Sequence, residues 1–344
     1  MHSTTWHRYG SFVPEFKPPP GKLPAALLRE LLAGAPVPSA DVRLPPMVGE
    51  DASAIDIAAG ALIVATDPIT LTGKDVGAHA VVINANDVAV MGARPRWFLA
   101  VVLLPPGTSE AEIRELFKAM HVALTDMGVS IIGGHTEITG AVTQPVVVGQ
   151  MMGLREDGEF VRTGGLSPGD AVVQAGPAPI EGAAVLAAEA PGEFQGLPDD
   201  ILEAALDAIQ NPGISVVEAA LKATELGAVA MHDPTEGGLS TGLHELAEAS
   251  GVSLNVDADA VQWFEPGRRI CEALDLDPWG VLASGTLLAG FPSSTAESAC
   301  DNLNAAGFPA TVIGTAGSGS GVQFSDGTDL VQFERDELSR LNQG

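Results

Sequence analysis

Positive charge is scarce in this chain. Lys and Arg number 17 against 44 Asp and Glu, a formal net charge of −27 at pH 7. No basic stripe runs along any segment, and a surface this acidic repels phosphates, so nucleic acid is not expected as a partner. The excess acid suits either a salty cytoplasm or a plain solubility surface. In both cases a polyanionic ligand such as a nucleotide needs a metal ion between itself and the carboxylates. Long apolar runs are also missing. Hydrophobic residues make up 46% of the chain, yet no stretch is long and clean enough to span a bilayer, so no membrane partner is expected. The opening "MHSTTWHRYGSFVPEF" has neither the basic start nor the apolar centre of a signal peptide, and a cytoplasmic protein is expected. Cysteine occurs twice, at Cys271 and Cys300, without metal-ligand spacing. That leaves one bridge or two reduced structural thiols, of which a cytosolic protein favours the second.

Familiar catalytic signatures are absent as well. Neither "PPPGKLP" nor "TLTGKDVG" carries the leading glycine of a P-loop. No G-x-S-x-G elbow and no H-E-x-x-H pair occurs. "TAGSGSGVQF" is Gly-rich but joins two short strands, which predicts a hairpin turn rather than a dinucleotide loop.

What is present mixes strands and helices. At 344 residues the chain exceeds an ordinary single domain, so two are expected. Residues 1–20, aromatic and ending in "KPPP", read as a flexible arm. "LPAALLRELLAG" has helical periodicity. "ALIVATDPIT" reads as a buried strand. "DVGAHAVVINANDVAVMGA" is apolar around most of its circumference, hence a buried helix. "SEAEIRELFKAMHVALTDMG" is a helix opened by a Ser109–Glu112 capping box and stopped by Gly128. "VSIIGGHTEIT" and "QPVVVGQMMGL" are strands around a turn. After "RTGGLSPGD" the pattern restarts, which divides the chain into 21–160 and 161–344. Neither half keeps the regular βαβ rhythm of a doubly wound sheet, so the fold class is α+β.

The polar residues of interest sit at the ends of apolar elements or inside them. Asp67 ends a strand, and Asp233 ends another before the Gly-rich entry to a helix, "HDPTEGGLSTGLHEL". Glycines permit close backbone approach, and a helix N-terminus favours an anion. Asn84 and Asp87 lie three apart on the buried helix and share a face. Any one of these acids can serve as a cap or turn residue. Asp87 is harder to assign that way, because an unpaired acid in the middle of a buried helix is costly. Asp51, Asp67 and Asp87 are therefore expected to converge on Mg²⁺, a hard cation held by few carboxylates plus substrate phosphates.

Taken in order, "VGEDASAID", "ATDPIT", "DVGAHAVVINANDVAVMGARP", "GGHTEIT", "GDAVVQAG", "HDPTEGGLSTGLHELA" and "ASGTLLAGFP" resemble the signatures of the AIR synthase-related (PurM-like) superfamily. "GKLP", "DPTEGGL" and "SGTLLAGFP" look most like its HypE-like members. The resemblance implies two α+β domains. In the family the first domain dimerises through its sheet, forming a barrel across two subunits, with ATP and Mg²⁺ in a cleft at the interface. It also implies an enzyme that uses ATP to phosphorylate or activate an oxygen of a small substrate. Residue by residue, Asp51, Asp67 and Asp87 match the Mg²⁺-ATP ligands. Asn84, Gly133, Gly134 and Thr136 are implied around the nucleotide, with Lys74 the nearest cation to its phosphates by sequence. His135 and Glu137 are implied at the metal or γ-phosphate, and Asp233, at the strand end before the Gly-rich helix entry, is a further catalytic candidate.

The chain departs from the pattern in several places. His135 stands where HypE and thiamine-monophosphate kinase place an aspartate, and Glu50 replaces the first acid of the G-D-D motif. Glu236 stands where HypE usually has arginine. The sequence ends in "DELSRLNQG", with no cysteine to carry the carbamoyl group that HypE dehydrates, so that reaction is not expected. Two readings remain open: an ATP-using enzyme, thiamine-monophosphate kinase-like small-molecule kinases included, and a nucleotide-binding accessory protein without turnover.

Overall fold

The computed structural model describes residues 21–22, 25–44, 54–55, 60–70, 75–190, 194, 196–333 and 335–343. The arm expected at 1–20, together with Glu50, Asp51 and Lys74, lies outside the described residues. In the first half the elements run β1 (Gly21–Lys22), α1 (Ala25–Ala33), β2 (Val42–Leu44), β3 (Ala54–Ile55), β4 (Ala61–Ile69), α2 (Val76–Ala89), β5 (Pro95–Leu104), α3 (Glu110–Met127), β6 (Ser130–Ile138) and β7 (Val146–Arg155). Five of these strands make one sheet in the order β1-β6-β5-β7-β4. Only β5 and β6 run parallel within it.

Helices α2 and α3 cover one face of this sheet. Phe98, Ala100, Val102, Leu104 and Met151 point into a core with Val81, Ala85 and Val88 of α2 and with Leu116 and Met120 of α3. The ends of α3 follow from its sequence. Ser109 Oγ accepts from the Glu112 N–H at 3.3 Å, and the Ser109 N–H donates to Glu112 Oε2 at 2.7 Å. Gly128 closes the helix at φ 68°, where a side chain would be strained. The other face of the sheet carries a separate small cluster of Trp97, Ile132 and Met152, with Leu99 and Leu154 against it. Leu62 and Val64 on that face are 41% and 58% exposed.

The second half comprises β8 (Ala171–Ala175), α4 (Ile180–Glu189), α5 (Asp199–Asp207), α6 (Val217–Glu225), β9 (Ala230–His232), α7 (Gly238–Ser250), β10 (Ser253–Val256), α8 (Glu265–Ala273), β11 (Leu287–Phe291), α9 (Ala296–Ala305), β12 (Ala310–Gly317) and β13 (Gly321–Phe324). Its six-stranded sheet has the order β13-β10-β12-β8-β11-β9. The hairpin expected from "TAGSGSGVQF" does not form. β10 lies between β12 and β13, antiparallel to the first and parallel to the second. The Gly-rich turn therefore steps over a strand instead of folding two neighbours together. A local signal cannot distinguish the two, because β10 arrives from far earlier in the chain.

The halves are joined through α2. Small residues Ala85 and Ala89 share a core with Ala219, Ala220 and Ala223 of α6. Asn86, fully buried, donates to the Ile214 carbonyl at 2.9 Å and accepts from the Val216 N–H at 2.9 Å. A bidentate Arg94–Glu218 pair closes the rim at 2.6 and 3.2 Å.

Candidate active site

Asp67 and Asp87 meet where the edge strand β4 passes α2. Asn84 holds them there. Its carbonyl accepts from the Asp67 N–H at 2.8 Å, and its amide donates to the Asp67 and Ala80 carbonyls at 3.1 and 2.8 Å. The sequence reading places Asn84 at the nucleotide, but it is fully buried and both its amide hydrogens are taken. Its role is to brace Asp67.

Asp233, just after β9, joins this pair from the second half. It is 5% exposed, and its Oδ2 has no hydrogen-bond partner. Burial pushes its carboxyl up to about 7, and Asp87 adds to the rise. Asp87 is pushed up to about 6, first by burial and then by Asp67. Asp67 is raised by burial and by Glu236. His232 opposes the rise at both Asp87 and Asp233, and its Nε2 lies 2.8 Å from Glu245 Oε2 on α7. A carboxylate left buried without a counter-charge is costly, so this group of acids calls for a cation or for protons. Acids shifted by burial and by one another, gathered in this way, make this place the candidate functional site.

His135 and Glu137 do not join that group within one chain. Their side chains pair with each other at 3.2 Å. In the parallel ladder His135 faces Val101 and Glu137 faces Leu103, whereas Ala100 and Val102 point to the helices. Strand alternation therefore puts His135 and Glu137 on the sheet face away from α2, with β5 and β7 between them and β4. Thr136, opposite Val102, points the other way. Gly134 has a requirement of its own: a Cβ there would lie 2.1 Å from the Ala100 carbonyl oxygen, so the bare backbone lets β6 pack against β5. Gly133 follows a bulge at Ile132 in the same strand.

Around the helix entry predicted to favour an anion, the chain supplies one. The Gly237 N–H at the start of α7 donates to Asp336 Oδ2 at 2.8 Å. Glu181, in the first turn of α4, is raised by burial and by the charges of Asp336, Asp67 and Glu236. Sequence reasoning assigned no role to Glu181, His232, Glu236 or Asp336. Glu236 and His232 lie inside the quoted "HDPTEGG", but nothing local marks Asp336, which returns from the C-terminal segment. Among the described residues, no three His, Cys, Asp or Glu side chains already stand at metal-holding distance. A cleft of about 500 Å³ opens between α2, α3 and residues 209–215, lined in part by His79, Val82 and Ile214, and none of these acids lines it.

Comparison with known proteins fits the two-sheet fold. The N-terminal domain of AIR synthase related proteins matches residues 49–155, and their C-terminal domain matches 167–327. The chain belongs to the AIR synthase related family. Carbamoyl dehydratase HypE of Azotobacter vinelandii is 30% identical over 279 residues, 77% of this chain and 78% of that one. HypE of Rhodobacter capsulatus is 32% identical over 253 residues, 72% of each chain. Among solved structures, hydrogenase maturation protein HypE in complex with ATP matches with a TM-score of 0.72 at 27% identity, covering 84% of this chain and 90% of that one. Thiamine-monophosphate kinase of Stenotrophomonas maltophilia K279a shares the fold, with a TM-score of 0.70 at 21% identity and coverage of 88% and 96%. This AIR synthase related chain has no described helix long and apolar enough to cross a membrane.

Proposed function

We propose that this protein is a Mg²⁺-dependent enzyme that uses ATP to phosphorylate or otherwise activate an oxygen of a small substrate. The observation that carries this reading is the gathering of Asp67, Asp87 and the unpartnered, buried Asp233 without an adequate counter-charge. The likeness to a HypE bound to ATP supports it. The donor set fits a hard cation, which takes carboxylate oxygens and bridges them to phosphates. Asp67 and Asp87 would hold the ion, with Asp51 as the expected third acid. The ion and its nucleotide supply neutralisation of charge on the transferring phosphoryl group and the group itself.

The rest of the work falls to the chain. Asn84 fixes the backbone of Asp67 beside α2, which sets where that carboxylate is presented. Asn86 fastens the 214–216 segment to the same helix that carries Asp87, so one rigid element positions both halves of the site. The Glu245–His232 pair keeps an imidazole beside Asp87 and Asp233, where it moderates their charge.

In this reading the domains are 21–160 and 161–344, and two copies pair through the sheet face that exposes Leu62 and Val64. Such a seam gives His135 and Glu137 a place near a nucleotide, because within one chain the sheet separates them from the acids. Both cysteines are buried and unpaired, so neither is presented as a carbamoyl carrier. Calorimetry with Mg²⁺ and a non-hydrolysable ATP analogue should show binding, and ADP release from ATP should vanish in Asp87→Asn. Binding without any turnover in the presence of candidate acceptors points instead to an accessory protein. No heat at millimolar nucleotide sinks both.

A further inference from the structure

Beside the carboxylates assigned to the metal, a second set of acids forms a corner of its own. Two helix starts converge there. Glu181 lies in the first turn of α4, and Glu236 immediately precedes the Gly237–Gly238 start of α7. The segment 281–284 closes the back: the Gly182 N–H donates to the Leu282 carbonyl at 3.0 Å, and the Ala283 N–H to the Thr235 carbonyl at 3.2 Å. Asp336 enters from the C-terminal segment, held by the N–H groups of Gly237 at 2.8 Å and Leu338 at 2.9 Å.

The charge of this corner does not balance. With all three carboxyl groups ionised, two helix N-termini, each equivalent to about half a positive charge, leave about two negative charges over. Burial raises both Glu181 and Asp336, and the remaining influences upon them are the carboxylates of Asp336, Asp67 and Glu236, backbone N–H groups and Ser284. Among these described neighbours there is no Lys, Arg or His. Independently of the acids, the Ser284 hydroxyl is 1% exposed and has no partner of hydrogen-bonding geometry, although it lies close enough to Glu181 to temper its rise. Glu181 is itself only 8% exposed. Glu181 and Ser284 thus lie buried beside Glu236, which is exposed. Glu236 also acts on Asp67, so the corner adjoins the proposed nucleotide site.

We propose that Glu181, Glu236, Asp336 and Ser284 form the acceptor subsite and recognise a small substrate through a cationic head, an ammonium or guanidinium group. As an acceptor site it rests on the ATP-using reading above. A divalent metal is the poorer occupant, since both carboxylate oxygens of Asp336 already accept backbone N–H groups, from Gly237 and Leu338. An organic cation carries several N–H donors and reaches separated oxygens by charge-assisted hydrogen bonds. A phosphate or carboxylate head would meet the α7 N-terminus already taken by Asp336.

The test is a calorimetric titration of the full chain, loaded with Mg²⁺ and a non-hydrolysable ATP analogue. The probes are methylammonium and agmatine, with ethylene glycol and acetate as neutral and anionic controls at matched ionic strength. Agmatine or methylammonium is expected to bind at least about tenfold more tightly than either control. Glu236→Gln, at an exposed position, should lower that affinity about tenfold while nucleotide still binds. Asp336→Asn should lower it as well, with circular dichroism reporting whether the C-terminal segment stays folded. The proposal is overturned if neither cation exceeds the controls, if Glu236→Gln binds them as well as the parent, or if added Mg²⁺ saturates the corner and competes with agmatine. Loss of nucleotide binding in the parent chain defeats the broader reading, whereas intact nucleotide binding without cation binding defeats this inference alone.

Discussion

Replacing Asp233 by Asn should stabilise the ligand-free protein at high pH, even though it removes a residue of the proposed site. The carboxyl is displaced by burial from its ordinary 3.8 to about 7. At about 1.4 kcal/mol per pH unit, keeping it ionised inside the folded chain costs about 4 kcal/mol. The sign follows from the direction of the rise. An acid whose folded-state value is raised favours the folded state below its unfolded value, and that contribution disappears as pH climbs through the folded value. Above about pH 7 the wild-type chain therefore carries the full cost. Asparagine removes the charge but places an N–H₂ where Oδ2 has no partner, at about 1–3 kcal/mol. The net expectation is about 1–3 kcal/mol of added stability at about pH 8. At about pH 5 the protonated wild type should equal or exceed the variant. Urea denaturation at both pH values measures the difference. A variant less stable than wild type at the higher pH, or a difference independent of pH, would refute the argument that Asp233 is an uncompensated buried acid.

Other expectations follow from the same geometry. Because Asp87 sits at about 6 and Asp233 at about 7, cation binding must displace protons, so affinity for Mg²⁺ with nucleotide should rise steadily between about pH 5.5 and 7.5. A flat calorimetric profile over that range would count against Asp87 as a ligand with Asp233 beside it. Asn86→Ala strips partners from a buried carbonyl at Ile214 and a buried N–H at Val216, and should cost about 2–4 kcal/mol in denaturant unfolding. A loss below about 0.5 kcal/mol would mean that the halves are held together elsewhere. The Cys271 thiol, pushed up to about 12 by burial, should resist a disulfide reagent at about pH 8 until the chain is unfolded. Rapid labelling in the native state would contradict its place in the core.

Local pattern was enough for the elements and for part of the site. The apolar circumference of 75–93, the Ser109–Glu112 box and the Gly128 stop are short-range features, and the structure forms them as read. An acid inside a buried helical run announces Asp87, since no local partner can satisfy it, although α2 ends at Ala89 and Asp87 stands in its last turn rather than its middle. Pairing across the sheets was not legible. Whether the turn at 318–320 folds two neighbours together or steps over β10 depends on a strand formed much earlier, which leaves no trace in the turn itself. Nor could spacing reveal that His135 and Glu137 face away from α2. That depends on the register of β6 against β5, which a single bulge at Ile132 resets.

What the sequence by itself determined, then, was the order and type of the elements, the acidic surface, and the acids too costly to bury idly, because propensity, capping and desolvation act on a residue and its near neighbours. Tertiary structure alone decided which acids share a space. Asp67 and Asp87 meet through Asn84, Asp233 joins from the other half, and Asp336 closes on α7 from the far end of the chain. Long-range packing sets those distances, and electrostatic coupling falls off too steeply with distance for separation along the chain to foretell it.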